Sequence, residues 1–99
     1  QTQVRDLLQN GKLEVDNFEQ LEQAIGAGWK NILLDNFSPH DVKLAVEKFG
    51  RQAELEASGG IDMTNVADYA ASGVHYISMG ALTHSVRNID FGMELIWNK

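Results

Sequence analysis

Leu55-Glu56-Ala57-Ser58-Gly59-Gly60-Ile61 is the stretch that decides how this chain folds. A short run of strand character carries a carboxylate and a serine into two adjacent glycines, just before a helix signal. Adjacent glycines adopt turn conformations that a Cβ forbids, and they let the backbone approach a ligand closely. A loop of this kind leading to a helix N-terminus presents free N–H groups, which suit a phosphate. Read alone, the turn is an ordinary strand-to-helix connection that binds nothing. The same design recurs on both sides of it, and the recurrence carries the fold.

Residues 12–15, 31–34, 54–57 and 75–79 read as strands. Their central positions Leu13, Ile32, Leu55 and Tyr76 recur about every 21 residues, the period of a βα unit with short loops. The 31–34 run is almost continuously apolar, which predicts a strand covered on both faces. Helix signals fill the gaps. Val4, Leu7 and Leu8 have helical spacing before a stop at Asn10-Gly11. Asp16-Asn17 offers an N-cap, with Gln20 in a capping-box position. Phe18, Leu21, Ala24 and Ile25 form the apolar stripe of that helix, which stops at Gly26 or Gly28. Ser38-Pro39-His40-Asp41 opens the next helix with Ser at N-cap and Pro at N1. Val42, Ala45, Val46 and Phe49 give it a buried side, Leu44 joins them less squarely, and Gly50 ends it. Thr64 is the expected cap of a last helix that buries Val66, Ala67, Tyr69 and Ala70 and stops at Gly73. In 89–97, the alternation of Phe91, Met93 and Leu95 favours a strand, although Ile89, Met93 and Ile96 also fit a helix.

Unbroken βα units give an α/β fold, either an open doubly wound sheet or a barrel. Four units are about half of an eight-unit barrel. Half a barrel leaves strand edges and apolar surface uncovered, so further sequence upstream is expected. A chain of 99 residues that opens on Gln1 inside a helix-like pattern agrees with that expectation.

Composition narrows the function. The 14 acidic and 8 basic residues leave a net charge of −6, which excludes the electrostatic footprint of a nucleic-acid or anionic-membrane binder. No apolar run approaches the ~20 residues of a membrane span, and no signal-peptide pattern opens the chain. The absence of Cys removes disulfides, thiolate metal ligands and a thiol nucleophile, and is compatible with a cytoplasmic location.

In parallel α/β folds ligands sit at the carboxyl ends of the strands. That edge would gather Glu14, Asp35, Glu56 with Ser58-Gly59-Gly60, and Gly80-Ala81 with His84 just beyond. Each has a plainer role open to it. Glu14 fits a solvated strand position, Asp35 a turn or cap beside Asn36, Glu56 a buried carboxylate with a polar partner, and His84 a backbone hydrogen bond. Together, carboxylates beside N–H-rich turns suit a ligand with hydroxyls and a phosphate, such as a sugar phosphate. A metal on Glu14 and Asp35 is a further option, although no His-x-His or His-Glu-x-x-His pattern supports a dedicated site. The basic residues do not follow strand ends, so a polyanionic substrate would need cations from elsewhere.

Glu14-Val15-Asp16-Asn17, Leu34-Asp35-Asn36-Phe37, Glu56-Ala57-Ser58-Gly59-Gly60-Ile61 and Gly80-Ala81-Leu82-Thr83-His84-Ser85 closely resemble the C-terminal half of the quinolinate phosphoribosyltransferase family. The resemblance runs from about residue 12 to residue 96, with all four motifs in order. Any one motif is weak; the set is specific. It implies that residues 1–99 are the C-terminal part of an incomplete α/β barrel, following an N-terminal sandwich domain. It implies transfer from phosphoribosyl pyrophosphate to quinolinate, with Mg²⁺, giving nicotinate mononucleotide, pyrophosphate and CO₂. It also implies a homodimer or larger assembly whose sites include partner residues. Carried over, Glu14 and Asp35 resemble the carboxylates near the ribose hydroxyls and Mg²⁺. Ser58, Gly59 and Gly60 resemble the first phosphate loop, Gly80 and Ala81 the second, and His84 a residue close to it. The family's Arg/Lys cluster has no counterpart here, which implies a chain inactive by itself. A relative with another substrate, or a non-catalytic sugar-phosphate module, stands as the alternative.

Overall fold

The computed structural model describes residues 2–80 and 82–88. In order they form α1 (Thr2–Asn10), β1 (Leu13–Val15), α2 (Phe18–Ala27), β2 (Asn31–Asp35) and α3 (Pro39–Phe49). These lead into β3 (Glu54–Ser58), α4 (Val66–Ala71), β4 (Tyr76–Met79), β5 (Leu82–Ser85) and a 3₁₀ turn (Val86–Asn88). The strands lie in sequence order, β1 to β4 parallel and β5 antiparallel to β4. The strand expected in 89–97 lies outside the described residues.

Successive parallel strands added always on the same side put their right-handed crossovers on one face. Burial agrees. Val15, Ile32, Leu34, Leu55, Ala57, Ile77 and Met79 form one alternate set of strand positions and join Leu21, Ala24, Val42, Ala45, Val66 and Tyr69 in one core. The opposite face carries Glu14, Asp35, Glu56, Ser58, Tyr76 and Ser78. A doubly wound sheet would cover both faces, so the single helical layer is that of a barrel wall. Leu33, expected under a second cover, is only half-buried on the open face.

The helix boundaries follow their caps. Asn17 Oδ1 accepts from the Gln20 N–H at 2.9 Å, while Gln20 Oε1 accepts from the Asp16 N–H at 2.7 Å. Gly28, not Gly26, ends α2: at φ 98° its N–H returns to Ile25, and the next N–H returns to Ala24. Ser38 caps α3 through the Asp41 N–H. Leu44 is exposed.

The start of α4 departs from expectation. Asn65 takes the N-cap position, and Thr64 instead donates its N–H and hydroxyl to Asp62 Oδ1. These bonds hold the Asp62 carboxyl below its usual range. Asp and Thr two residues apart close a local turn, which competes with capping. Ala67 is exposed, and Ser72 is buried in its place among the helix's inward positions, its hydroxyl donating to the Tyr69 carbonyl.

Tyr69 ties α4 to the loop after β2: its buried hydroxyl donates to the Phe37 carbonyl at 2.7 Å. Phe37 also packs on Phe18 with ring centroids 5.6 Å apart. Tyr69→Phe leaves that carbonyl unpaired, so it is expected to cost about 1–3 kcal/mol of stability. Urea denaturation measures it; an unchanged midpoint would mean that the bond contributes nothing net.

Candidate functional site

The carboxyl ends of β1 to β4 form one rim. Glu14 lies in β1 and Asp35 ends β2, and with Asp16 they bring three carboxylate oxygens within 4.8 Å of one another. The third member of this group is Asp16, not Glu56. Asp16 stands two residues beyond Glu14, and its backbone is held by Gln20, which sets its direction. Alternation along β1 was the signal for it, since residues two apart share a face.

Like charges this close raise the cost of ionising all three. The Glu14 carboxyl is shifted above its ordinary 4.5, first by its hydrogen bond to Asp35 and then by the Asp35 charge. Only oxygen donors are present, which suits a hard divalent cation over Zn²⁺.

Two Gly turns stand beside this cluster. Ser58 ends β3, and its hydroxyl donates to Asp35 Oδ1 at 3.4 Å. Its carbonyl accepts from the Asn36 N–H at 2.9 Å, and the Gly60 carbonyl accepts from Asn65 Nδ2 at 2.9 Å. Asn36 itself sits at φ 61°, in the left-handed region that Asn tolerates. Gly59 and Gly60 have φ 89° and 70°. A Cβ on Gly59 would lie 2.4 Å from Asn36 Oδ1 and 2.8 Å from the Asn36 backbone N, whereas one on Gly60 would meet nothing within 4 Å. Gly59 is therefore required by its neighbours and Gly60 by its φ alone. Among the described residues none accepts from the N–H groups of Gly59 or Gly60. The turn does not lead straight into a helix; the Asp62–Asn65 turn intervenes.

Gly80, at φ 61°, opens the second turn, between β4 and β5. Ala81 lies outside the described residues. Ser58, Gly59, Gly60, Ser78 and Gly80 line a common cavity of about 420 Å³. A larger one, about 780 Å³, opens toward the other ends of the strands among Lys30, Arg51, Glu54 and His75, and extends over the open face to Lys12, Glu56 and Thr83. Size favours the second. The glycine turns line the first, whose wall residue Ser58 bonds to Asp35 of the carboxylate cluster, and it lies at the carboxyl ends where α/β folds bind ligands.

His84 and Glu56 stand apart from the rim. His84 pairs with Ile77 across the hairpin, which places it on the helix-covered face. Glu56 is buried, accepting from Lys12 Nζ at 2.6 Å, from the Ser78 hydroxyl and from Thr83 Oγ1 at 3.3 Å. The polar partner expected for Glu56 is thus present. Lys12, two residues before Glu14, and Ser78, two before Gly80, went unmarked in the sequence; period-2 alternation was the available signal for both.

Fold and rim together define a class: part of an α/β barrel whose carboxyl-end rim joins a carboxylate cluster to two glycine turns. Within that class the chain belongs to a known family, since residues 2–94 match the model of the quinolinate phosphoribosyl transferase C-terminal domain. A nicotinate-nucleotide pyrophosphorylase (carboxylating) of Mycobacterium leprae is 44% identical over 87 residues, 85% of this chain and 31% of that protein. The human protein of that name is 31% identical over 96 residues, 94% of this chain and 32% of its own length. The solved nicotinate-nucleotide pyrophosphorylase of Francisella tularensis superposes with a TM-score of 0.70 at 39% identity, covering 81% of this chain and 29% of that one. The chain spans about a third of the length of the curated relatives it matches.

The shifted Glu14 carboxyl has a consequence for stability. Its folded-state pKa is raised, so its contribution is present below 4.5 and is lost as pH rises through the raised value. Asp35→Asn removes the opposing charge. The variant should therefore gain stability over the parent at pH 7 relative to pH 4, measured by urea denaturation at both. A difference that stays constant across this window would show that the two carboxylates do not interact.

Proposed function

We propose that the protein transfers the phosphoribosyl group of phosphoribosyl pyrophosphate to quinolinate, with decarboxylation, giving nicotinate mononucleotide, pyrophosphate and CO₂. The observation that carries this reading is the shared cavity between the two Gly turns, directly beside the carboxylate cluster. The names of the family's relatives support the same reaction.

In this reaction the N–H groups of Gly59 and Gly60, the Ser58 hydroxyl and the Gly80-Ala81 turn hold the 5′-phosphate, which fixes the sugar ring in place. Glu14 and Asp35 accept from the ribose hydroxyls. As the pyrophosphate bond at C1′ breaks and the bond to the pyridine nitrogen forms, the ring gains positive charge, which these carboxylates stabilise. Mg²⁺ near Glu14 and Asp35 would neutralise pyrophosphate charge when bound, and the all-oxygen donor set fits it. His84 acts near the second turn without entering the cavity. The cations for quinolinate and pyrophosphate come from regions of the relatives' fold beyond this third, within a cytoplasmic homodimer or larger assembly.

The test is quinolinate-dependent release of pyrophosphate and CO₂ by the complete gene product with Mg²⁺. The 99-residue chain assayed beside it should show no turnover. Activity from the chain within an order of magnitude of the complete protein would place the whole machinery here. Binding of the phosphoribosyl substrate without turnover by the complete protein would favour a non-catalytic module.

Glu14→Ala and Asp35→Ala should each lower kcat/KM roughly 10–1000-fold, the scale of one contact to a charged transition state. A collapse in Tm with near-normal turnover would make both residues structural.

The two glycines separate phosphate binding from folding. Gly60→Ala should cost roughly 1–2 kcal/mol of stability for its left-handed φ. It should also abolish ribose 5-phosphate binding, because its Cβ enters only the space left to the ligand. Gly59→Ala should destabilise more, by collision with Asn36. Ribose 5-phosphate bound normally by folded Gly60→Ala would remove this turn from the phosphate site.

A further inference from the structure

We propose, resting on the sugar-phosphate function above, that Glu56 is a positioning residue that sets the separation of the two Gly turns. Its carboxylate is 5% exposed and lies on the open face of the sheet, two residues before Ser58. Among the described residues its carboxylate bonds to β4, to β5 and to the residue preceding β1. Oε1 accepts from Lys12 Nζ at 2.6 Å, beside β1. Oε2 accepts from the Ser78 hydroxyl on β4 and from Thr83 Oγ1 on β5 at 3.3 Å.

Ser78 and Thr83 face each other across the β4–β5 hairpin, their hydroxyls 3.2 Å apart. One carboxylate oxygen therefore holds both legs of the hairpin whose turn begins at Gly80. Ser78 itself lines the cavity with Gly80 and with Ser58, Gly59 and Gly60, the end of Glu56's own strand. Moving Ser78 changes the width of the cavity, and Ser78 is fixed by Glu56. Both carboxylate oxygens are engaged within the protein, so Glu56 acts on the phosphate through the hairpin and not by touching it.

The ion pair gives this arrangement an internal control. Lys12 steadies the carboxylate from the side away from the hairpin, and half of its side chain is exposed. Replacing it perturbs the same buried group without removing the Ser78 and Thr83 bonds. A strut that only stabilises the sheet would show its loss equally from either side.

The experiment measures ribose 5-phosphate affinity by calorimetry, and KM for both substrates, on the complete gene product and its variants. Glu56→Leu and Ser78→Ala should each weaken ribose 5-phosphate and raise KM for phosphoribosyl pyrophosphate roughly ten- to hundredfold, as expected for a displaced binding group. KM for quinolinate should stay unchanged. The double variant should be no weaker than the worse single one, since both changes break one bond. Lys12→Met should lower Tm and leave the affinity within about threefold, a change under 1 kcal/mol. Should Glu56→Leu fail to fold, Ser78→Ala and Thr83→Val, which leave the ion pair intact, decide the matter alone.

Folded variants with parental affinity overturn the positioning role and leave the proposed function standing. Equal losses of affinity in Lys12→Met and Glu56→Leu, in step with Tm, also overturn it in favour of a purely structural pair. A parent protein with no saturable affinity for ribose 5-phosphate overturns the proposed function and this role together.

Discussion

The constraint on which the structure depends is the handedness of the parallel crossover. Each strand from β2 to β4 is laid on the same side of the one before it, and parallel crossovers of this kind are right-handed as a rule. Three helices are thereby confined to one face, where Leu21, Ala24, Val42, Ala45, Val66 and Tyr69 meet the inward strand residues. The other face is released from the need to be apolar. Carboxylates and hydroxyls can occupy alternate strand positions there because the core lies wholly behind them. The same constraint points every carboxyl end of β1 to β4 in one direction, so loops distant in sequence become neighbours on one rim.

Most of this order was legible in the sequence because the determinants are local. A period near 21 residues, the Asn17 and Ser38 caps and the alternation of Ile32, Leu34, Leu55 and Ala57 each need only a few neighbouring residues. The cover on β2 was less legible. An apolar run signals burial without saying by what, and Leu33 lies on a face that the described residues leave open. The cap of α4 was misjudged for a related reason. Thr64 and Asp62 are both good capping residues, and only the geometry of the turn shows that they satisfy each other.

The site was legible in its members but not in their grouping. Glu14, Asp35, Ser58, Gly59, Gly60 and Gly80 could be assigned to strand ends, and the rim holds them. Grouping depends on register, which is set between strands. Asp35 lies opposite Ser58, and Ser78 lies opposite Thr83, so hydroxyls and carboxylates from different strands share rows across the open face. Glu14 and Glu56 share the row of Leu33, one below Asp35; Glu56 turns to Lys12, while Glu14 groups with Asp35 and with Asp16, beyond the end of β1. No reading along one strand distinguishes those outcomes.

Charge then explains why the two carboxylates differ in role. Glu56 has an ammonium and two hydroxyls within reach and is buried among them, a stable arrangement that leaves it nothing to offer a ligand. Glu14 and Asp35 have each other and Asp16, in water, with no basic side chain bonded to them among the described residues. The hydrogen bond with Asp35, and after it their mutual repulsion, raises the Glu14 pKa, so the folded protein holds this group in a state that positive charge would relieve. A divalent cation would relieve it in the resting site, and a ribosyl ring losing pyrophosphate would relieve it during the proposed reaction. An attraction that grows as charge develops lowers a barrier, whereas a carboxylate already paired with lysine would have that attraction largely cancelled. The hydroxyl bonds of Glu56 and the lack, among the described residues, of a basic side chain bonded to Glu14 are therefore complementary: in the proposed roles the first set the cavity, and the second keeps the rim receptive to positive charge.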